Sequence, residues 1–522
     1  MENKHKEDSL KKRYFSKLSA NLASGGISAI IQMVVPRSLG PTAYGNFGFL
    51  TAFFDNLIGS LDVGSSYWFF TRLSKKQTDK KIIIFYRFVL SGLVLLILGF
   101  VIVATSTIIR EKIWLGQGNQ IIYMAMIFSI MTWVLGVKNK TIDAYGLNVD
   151  AGKRIIIQRI VALIIILVLF FINRLNLNTF FLYNYFIIAL LWLFFDLIIR
   201  KRGFSTGLTF RIKREDSKDY LKDLFRYVNP LAVYIIVALV VGVLDRWLLQ
   251  KFGGSIQQGF FALSYKISDI ISLFTASLTP LLIRDLSVAF SKKDMEGMRI
   301  LFRRYVPLMY GITALFSSFV AVQSDKIVSI IGGDKYKGAG MVVLIMAFYP
   351  LYLTYGQLTS AIFYATGQTK LYRNIGIFVL LLGLPMIYFL MAPKNMMGLD
   401  AKAIGLAVKM VLINAITVNI WLYYSVKLLK LSFSKFILHQ FGSLSIMIAV
   451  AMLVKLGTDS ILVLRNNTIL SFILSGIVYI VIIVVIGNFF PKLFGLDREI
   501  IKRVRMRLVD WINNVLNKIR KK

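Results

Sequence analysis

Residues 82–109 read IIIFYRFVLSGLVLLILGFVIVATSTII, a run in which Arg87 is the only charge. A helix of about 20 apolar residues crosses the hydrocarbon core of a bilayer, so this stretch is long enough to span a membrane. Working outward, runs of the same kind fall at 18–38, 44–70, 120–137, 155–173 and 178–199. After a basic stretch, they continue at 227–250, 257–282, 305–322, 338–366, 374–392, 403–426, 436–454 and 467–490. Each is bounded by a charge cluster or by Gly, Asn or Pro. The reading is an all-α polytopic membrane protein with about 14 transmembrane helices.

Composition agrees and closes off other classes. The 522 residues are 57% apolar, and 62 Lys and Arg against 26 Asp and Glu give a net charge of +36. Fourteen spans leave no room for a large extramembrane enzyme domain. There is no Cys, which excludes disulfides, thiolate nucleophiles and Cys-based metal sites, and the two His, His5 and His439, cannot form a cluster. No metal site, catalytic set or resident cofactor is expected. The first 17 residues are Lys-rich and polar, without the short apolar core of a cleavable signal peptide.

The charge has a topological use. With the amino terminus placed in the cytoplasm, the inner segments and adjoining span ends hold 47 Lys and Arg and the outer ones 13, leaving Lys266 and Lys409 inside spans. This asymmetry is the positive-inside pattern, and it puts both termini in the cytoplasm. Basic residues at that face orient spans and attract anionic membrane lipid, so no nucleic-acid partner is needed. The tail extends the theme: Ile501, Val504, Leu508, Val515 and Ile519 recur at helical spacing among Arg503, Arg505, Arg507, Lys518 and Arg520. That pattern fits a helix lying on the inner leaflet, with a solvated basic tail as the plainer alternative.

A repeat runs through the chain. Gly40, Gly45 and Asp55 recur 214 residues later as Gly254, Gly259 and Asp269, and Ser74-Lys75-Lys76 returns as Ser291-Lys292-Lys293. Six spans per copy is an even number, so both copies enter from one side, related by an axis along the membrane normal. The expected organisation is a basic amino-terminal segment at 1–17, a first lobe at 18–200, a basic linker at 201–226, a second lobe at 227–428, two further spans within 429–491 and a basic amphipathic tail at 492–522.

The segment Val35-Pro36-Arg37-Ser38-Leu39-Gly40-Pro41-Thr42-Ala43-Tyr44-Gly45 resembles the first loop of the polysaccharide transporter family, whose members flip lipid-linked oligosaccharide repeat units. Further likenesses follow in order. They are Asp62-Val63-Gly64 with Arg72-Leu73, then Leu244-Asp245-Arg246 through Gly254 to the run Gly259–Lys266, and Tyr364-Ala365-Thr366-Gly367-Gln368-Thr369-Lys370. The resemblance covers essentially the whole chain and implies the multidrug/oligosaccharidyl-lipid/polysaccharide exporter fold, with two pseudo-symmetric six-helix lobes around a central cavity. The two C-terminal helices are also similar to those of lipid II flippases, where they form a lipid-facing groove. The resemblance implies a polyprenyl-diphosphate-linked oligosaccharide as cargo, with a polysaccharide polymerase as partner.

An ionisable residue in mid-span is costly unless paired or facing water, so each one is a candidate. Asp55 and Asp62 share a face seven residues apart, and Lys266 and Asp269 share one three residues apart. The functional reading is an anion-attracting cavity: Lys266, Arg246 and Lys409 receive a diphosphate, with Arg37 and Arg72 near its two mouths. Against it stand an ion pair between Lys266 and Asp269, a packing role for Asp55, and a helix bend at Asp62-Val63-Gly64. A coupling proton or sodium ion would need an intramembrane carboxylate, which leaves Asp55, Asp62 and Asp269, with Asp55 preferred. Pro230 and Pro280 lie where an inward gate would close. The expected function is a flippase of the bacterial cytoplasmic membrane working by alternating access. A lipid II-type flippase and a multidrug exporter are the alternatives. A membrane glycosyltransferase or polymerase is disfavoured because the longest outer loop, near 323–337, is short.

Overall fold

The computed structural model describes residues 10–77, 79–204, 214–276, 279–461 and 466–495. They form seventeen α-helices and three short 3-10 turns, with no strand among the described residues. Helix α1 (Leu10–Asp62) is followed by α2 (Ser65–Lys75), α3 (Lys80–Ala104), α4 (Thr107–Ile113), α5 (Asn119–Ala144), α6 (Asn148–Phe171) and α7 (Leu177–Lys201). Then come α8 (Arg214–Ala276), α9 (Thr279–Ser291), α10 (Met295–Val322), α11 (Ser324–Gly332), α12 (Gly340–Met346), α13 (Tyr349–Ala365) and α14 (Thr369–Met391). The chain finishes with α15 (Lys402–Leu428), α16 (Phe433–Ser460) and α17 (Thr468–Phe489).

Short polar side chains fix where several of these begin. The Asp79 carboxylate accepts from the Lys81 backbone N–H, Asp294 from Gly297 and Asn467 from Leu470, while Asn176 and Thr179 cap α7 reciprocally. Each satisfies an amide that the helix cannot. Among the described residues, eleven helices are long and apolar enough to cross a membrane, one of them the 41-residue stretch Ala232–Ser272. That stretch divides at Gly254, and the two less apolar arms of α1 around Gly40 complete a set of about fourteen spans.

The helix faces follow their surroundings. In the most apolar window of Lys81–Ala104 only 17% of residues are buried, against 56% in Asp334–Ala365. The first therefore presents an apolar perimeter that only lipid can solvate, and the second is a core element.

Several boundaries differ from the sequence expectation, each for a backbone reason. The runs at 18–38 and 44–70 are not separated by a loop: α1 continues through a kink at Gly40, and the break comes later, at Val63 (φ 41°) and Gly64 (φ 84°). The runs at 227–250 and 257–282 likewise join through Gly254. The outer loop expected near 323–337 is mostly helical, as α11 and a 3-10 turn at Asp334–Ala339. The tail from residue 496, the amino-terminal residues 1–9 and the linker residues 205–213 lie outside the described residues.

Contacts divide the chain into two compact units. The first is Met1–Lys266 with Ile331–Ala339 and Gly376–Lys409. Its cores are aromatic: Trp114 packs on Phe53 and Phe54 with ring centroids 4.5 and 5.3 Å away, and Phe69 stacks on Tyr86 at 4.5 Å. The second is Ile267–Ile330 with Gly340–Ile375 and Met410–Lys522. Here Tyr310 meets Tyr355 edge-on at 5.4 Å and Tyr372 stacks on Trp421 at 4.4 Å. Phe494 fills the space left by Gly311 and Gly487.

Candidate functional site

The repeated glycines are where the chain turns. Gly40 has φ 73° and ψ 171°, and Gly254 has φ 67° and ψ −173°. This is essentially one conformation used twice, and an L side chain adopts it only with strain. A side-chain bond braces the two arms around each kink, again at equivalent positions. The Tyr44 hydroxyl donates to Gln32 Oε1 at 3.1 Å. Arg246 Nη1 donates to Gln258 Oε1 at 3.3 Å, and Gln258 Nε2 returns a bond to the Arg246 carbonyl at 2.6 Å.

Beyond the kinks, the second arms of α1 and α8 meet backbone to backbone. A Cβ on Gly45 would stand 1.8 Å from the Ser255 carbonyl oxygen, and one on Gly259 would stand 2.1 Å from that of Pro41. A Cβ on Gly48 would come within 2.9 Å of the Ala262 Cβ. The offset of 214 maps Gly45 onto Gly259, Pro41 onto Ser255 and Gly48 onto Ala262. The seam is therefore two-fold symmetric about the Gly48–Ala262 contact, and hydrogen is the only substituent that fits at its glycines.

The charged candidates have separate fates. Arg246 is held against the seam, its guanidinium stacked 4.4 Å over the Phe261 ring and 6.0 Å from that of Tyr265. Its neighbour Asp245 is buried and pairs with Lys409, Nζ to Oδ2 at 2.6 Å. Lys409 is only 3% exposed. Its charge is cancelled inside the helix packing, so it is not presented to a ligand, which corrects its grouping with Arg246 and Lys266. Lys266, Asp55 and Asp269 are all exposed although each sits deep in a helix. Asp55 has the Ser129 side chain and the Lys266 ammonium as its polar neighbours. Among the described residues Lys266 forms no ion pair with Asp269.

Asp62 shapes the backbone. It accepts from Ser65 Oγ at 2.8 Å, from Ser66 N at 3.2 Å and Oγ at 2.8 Å, and from Tyr86 Oη at 3.3 Å, all across the break at Val63-Gly64. Arg72 is tied down: its Nη2 lies 2.5 Å from Asp223 Oδ2, to which Trp68 Nε1 also donates at 2.7 Å. The Arg72 guanidinium holds the Asp223 carboxyl below the usual carboxylate range. Arg37 is exposed at the Gly40 end of its helix, next to Gly333.

Three participants escaped the sequence reading. Lys140 donates to Ser66 Oγ and lies 4.0 Å over the Tyr67 ring, which adds a cation to the Asp62 bend. Ser129 and Asp223 complete the surroundings of Asp55 and Arg72. Among the described residues, no three His, Asp or Glu side chains gather as a metal-binding group.

No protein-family model and no curated protein sequence matches this chain. Solved structures do. The chain is similar to the lipid II flippase MurJ in an inward closed conformation, with a TM-score of 0.64 at 13% identity over 90% of this chain and 98% of that one. It is also similar to an inward-facing multidrug resistance transporter of the MATE family, with a TM-score of 0.58 at 15% identity over 79% and 94% of the two chains. An outward-facing conformation of a MATE-family transporter aligns with a TM-score of 0.53 at 14% identity over 82% and 97%. The fold is that of the MOP-superfamily transporters. The chain is accordingly a multi-pass membrane protein with the architecture of transporters and flippases.

Proposed function

We propose that the protein is a flippase of the bacterial cytoplasmic membrane that moves polyprenyl-diphosphate-linked oligosaccharide repeat units to the outer leaflet for surface polysaccharide assembly, delivering them to a polysaccharide polymerase. The observation that carries this reading is the pair Arg246 and Lys266. Both cations lie in membrane-depth helix on either side of one kink, and neither forms a salt bridge among the described residues, Lys266 having Asp55 as a more distant neighbour, whereas Lys409 is in direct contact with Asp245. Cations without a salt bridge at this depth are tolerated where an anion or water meets them. A diphosphate with several sugars needs such a path, because hydrocarbon solvates neither.

The loop-charge asymmetry supports cytoplasmic termini. The seam of Gly45, Gly48 and Gly259 then lies toward the outer face, where close backbone contact would seal the path until the helices separate. Alternating access of this kind performs no covalent step. The match extends over 90% of this chain for the lipid II flippase and 79% for the inward-facing multidrug transporter, which supports a flippase-like set of helices. The sugar composition of the cargo follows from neither.

Proteoliposomes loaded with defined lipid-linked sugars test the reading. Arg246→Gln and Lys266→Gln should each lower flipping about tenfold or more at unchanged protein level, as expected when a charged contact of roughly 1.4 kcal/mol is lost. Unaltered flipping in both would remove the cationic site. Export of cationic dyes with no movement of lipid-linked sugar would favour a multidrug exporter.

Coupling is a further part of the proposal, with Asp55 as the carboxylate that a proton or sodium ion would use. Flipping measured with and without pH and sodium gradients at fixed potential should respond in the wild type and lose the response in Asp55→Asn. A gradient-independent wild type would eliminate ion coupling, and a responsive mutant would eliminate Asp55.

A further inference from the structure

A second cationic feature lies away from the seam, within the first unit, where α6 begins and α7 ends. Between the two helices is a cavity of about 550 Å³. Helix α6 lines it with Asp150, Lys153, Arg154 and Ile157, and α7 with Ile198, Lys201 and Arg202. Spacings of three and four put each set on one face of its helix. The helices run antiparallel, so the lining is layered. Asp150 and Arg202 form the outermost layer, paired from Nη2 to Oδ2 at 2.6 Å. Lys153, Arg154 and Lys201 form the next, and Ile157 and Ile198 the deepest.

The charge of this lining does not cancel. Asp150 is the one carboxylate among the lining residues, and Arg202 occupies it. With that pair set aside entirely, three cations remain. Lys153, Arg154 and Lys201 are exposed, and none forms an ion pair among the described residues. Arg154 is held toward α7, its guanidinium 5.4 Å over the Phe194 ring.

The depth of the cavity selects the ligand. The apolar run of α6 begins at residue 155 and that of α7 stops at residue 199. The three cations therefore stand within two residues of the hydrocarbon edge, about 3 Å along the axis, which is the level of lipid phosphates. The loop-charge asymmetry puts these helix ends at the cytoplasmic face. On the bilayer side of the cations, Ile157 and Leu197 are exposed apolar residues, so the deepest layer continues into the lipid-facing surface. A cationic layer joined to an apolar one at the edge of the bilayer fits an amphiphile with an anionic head better than a soluble anion. We propose that the cleft between the cytoplasmic ends of α6 and α7 seats the headgroup of an anionic bilayer phospholipid, with Lys153, Arg154 and Lys201 around its phosphate and an acyl chain along Ile157 and Leu197. Basic pockets between spans at this face bind lipid headgroups in the same manner. The site does not depend on what the transport path carries, so it can fail without that reading failing.

The test uses the full chain purified in neutral detergent and titrated with phosphatidylglycerol, with binding read by native mass spectrometry. Lys153→Gln and Lys201→Gln should each weaken binding about fivefold, the value of one basic contact near a membrane surface, and Lys201→Arg should retain it. Lys292→Gln, an equal charge loss on an exposed turn of the second unit, should change nothing. Asp150→Asn removes the one lining carboxylate and should tighten binding, a gain that a misfolded protein cannot produce. The proposal is overturned if Lys153→Gln and Lys201→Gln bind like wild type, if Asp150→Asn binds more weakly, or if phosphatidylcholine binds equally well. It also fails if inorganic phosphate competes at equal concentration, which would make the cleft a soluble-anion site, or if a polyprenyl diphosphate displaces phosphatidylglycerol from it at equimolar amounts.

Discussion

The kinks at Gly40 and Gly254 have the same backbone and different chemistry. Around the first, the equivalent positions hold Ile31, Gln32, Tyr44 and Ala52. Around the second they hold Asp245, Arg246, Gln258 and Lys266. The Gln32–Tyr44 bond and the Arg246–Gln258 bond occupy the same place, yet one is neutral and the other carries a full charge. The two copies therefore share the backbone of the kink and differ in the polar residues beside it. Glycine stands in both copies where the backbones touch, because the contact is mutual and a side chain in either copy strikes the other. Polar residues beside the kinks face no such reciprocal constraint.

The sharpest break in the comparison is the charge buried in one copy only. Ile31 is 6% exposed, and its counterpart Asp245 is buried against Lys409. Lys409→Met leaves that carboxylate alone inside the protein, and removing one partner of a buried pair costs about 3–5 kcal/mol. A large drop in melting temperature is expected in detergent. The double variant Asp245→Asn with Lys409→Met should recover most of it, because the pair is removed together. A single variant as stable as the wild type would show that the pair is dispensable.

The symmetry of the seam predicts a smaller and matched loss. Gly45→Ala and Gly259→Ala each push a methyl into the partner's carbonyl, and overpacking of this kind costs about 1–3 kcal/mol. The two variants should lose similar stability, and the double variant should lose less than the sum, since one separation of the helices relieves both clashes. Unequal losses, or strict additivity, would break the two-fold description of the contact.

How much of this was legible beforehand depends on the distance along the chain that a feature spans. The spans were readable because apolar length is a local property, and both kinks were readable as repeated glycines. The break at Val63-Gly64 was visible as a small-residue cluster after Asp62, and the bend alternative for Asp62 matches its four hydrogen bonds. Lys409 was not legible: its partner is 164 residues away on another helix, and no spacing encodes that contact. The same holds for Arg72 and Asp223, separated by 151 residues. Residues that look alike in a hydropathy plot, an isolated cation in an apolar run, divide into free and neutralised only when the helices are packed.

Arg72 also gives the comparison its reverse case. Here the first copy carries the charge, and the repeat, with its offset of 217 at Ser291-Lys292-Lys293, matches Arg72 to the buried Ala289. The Arg72–Asp223 bridge is partly exposed, with side-chain exposures of 45% and 31%, so it is screened by solvent and worth about 1 kcal/mol or less. Its pH dependence follows from the sign of the Asp223 shift. The folded carboxyl is held below its ordinary value of about 3.9. The folded state therefore favours the ionised form, and the contribution is fully present above the ordinary carboxylate range. It is lost as pH falls through the depressed value. Asp223→Asn should lower the melting temperature slightly at pH 7 and by the same amount at pH 5.5, with the difference from wild type closing only in strong acid. The effect should also shrink in high salt. A gap that closed between pH 7 and 5.5 would mean that Arg72 does not hold Asp223 ionised in the folded protein.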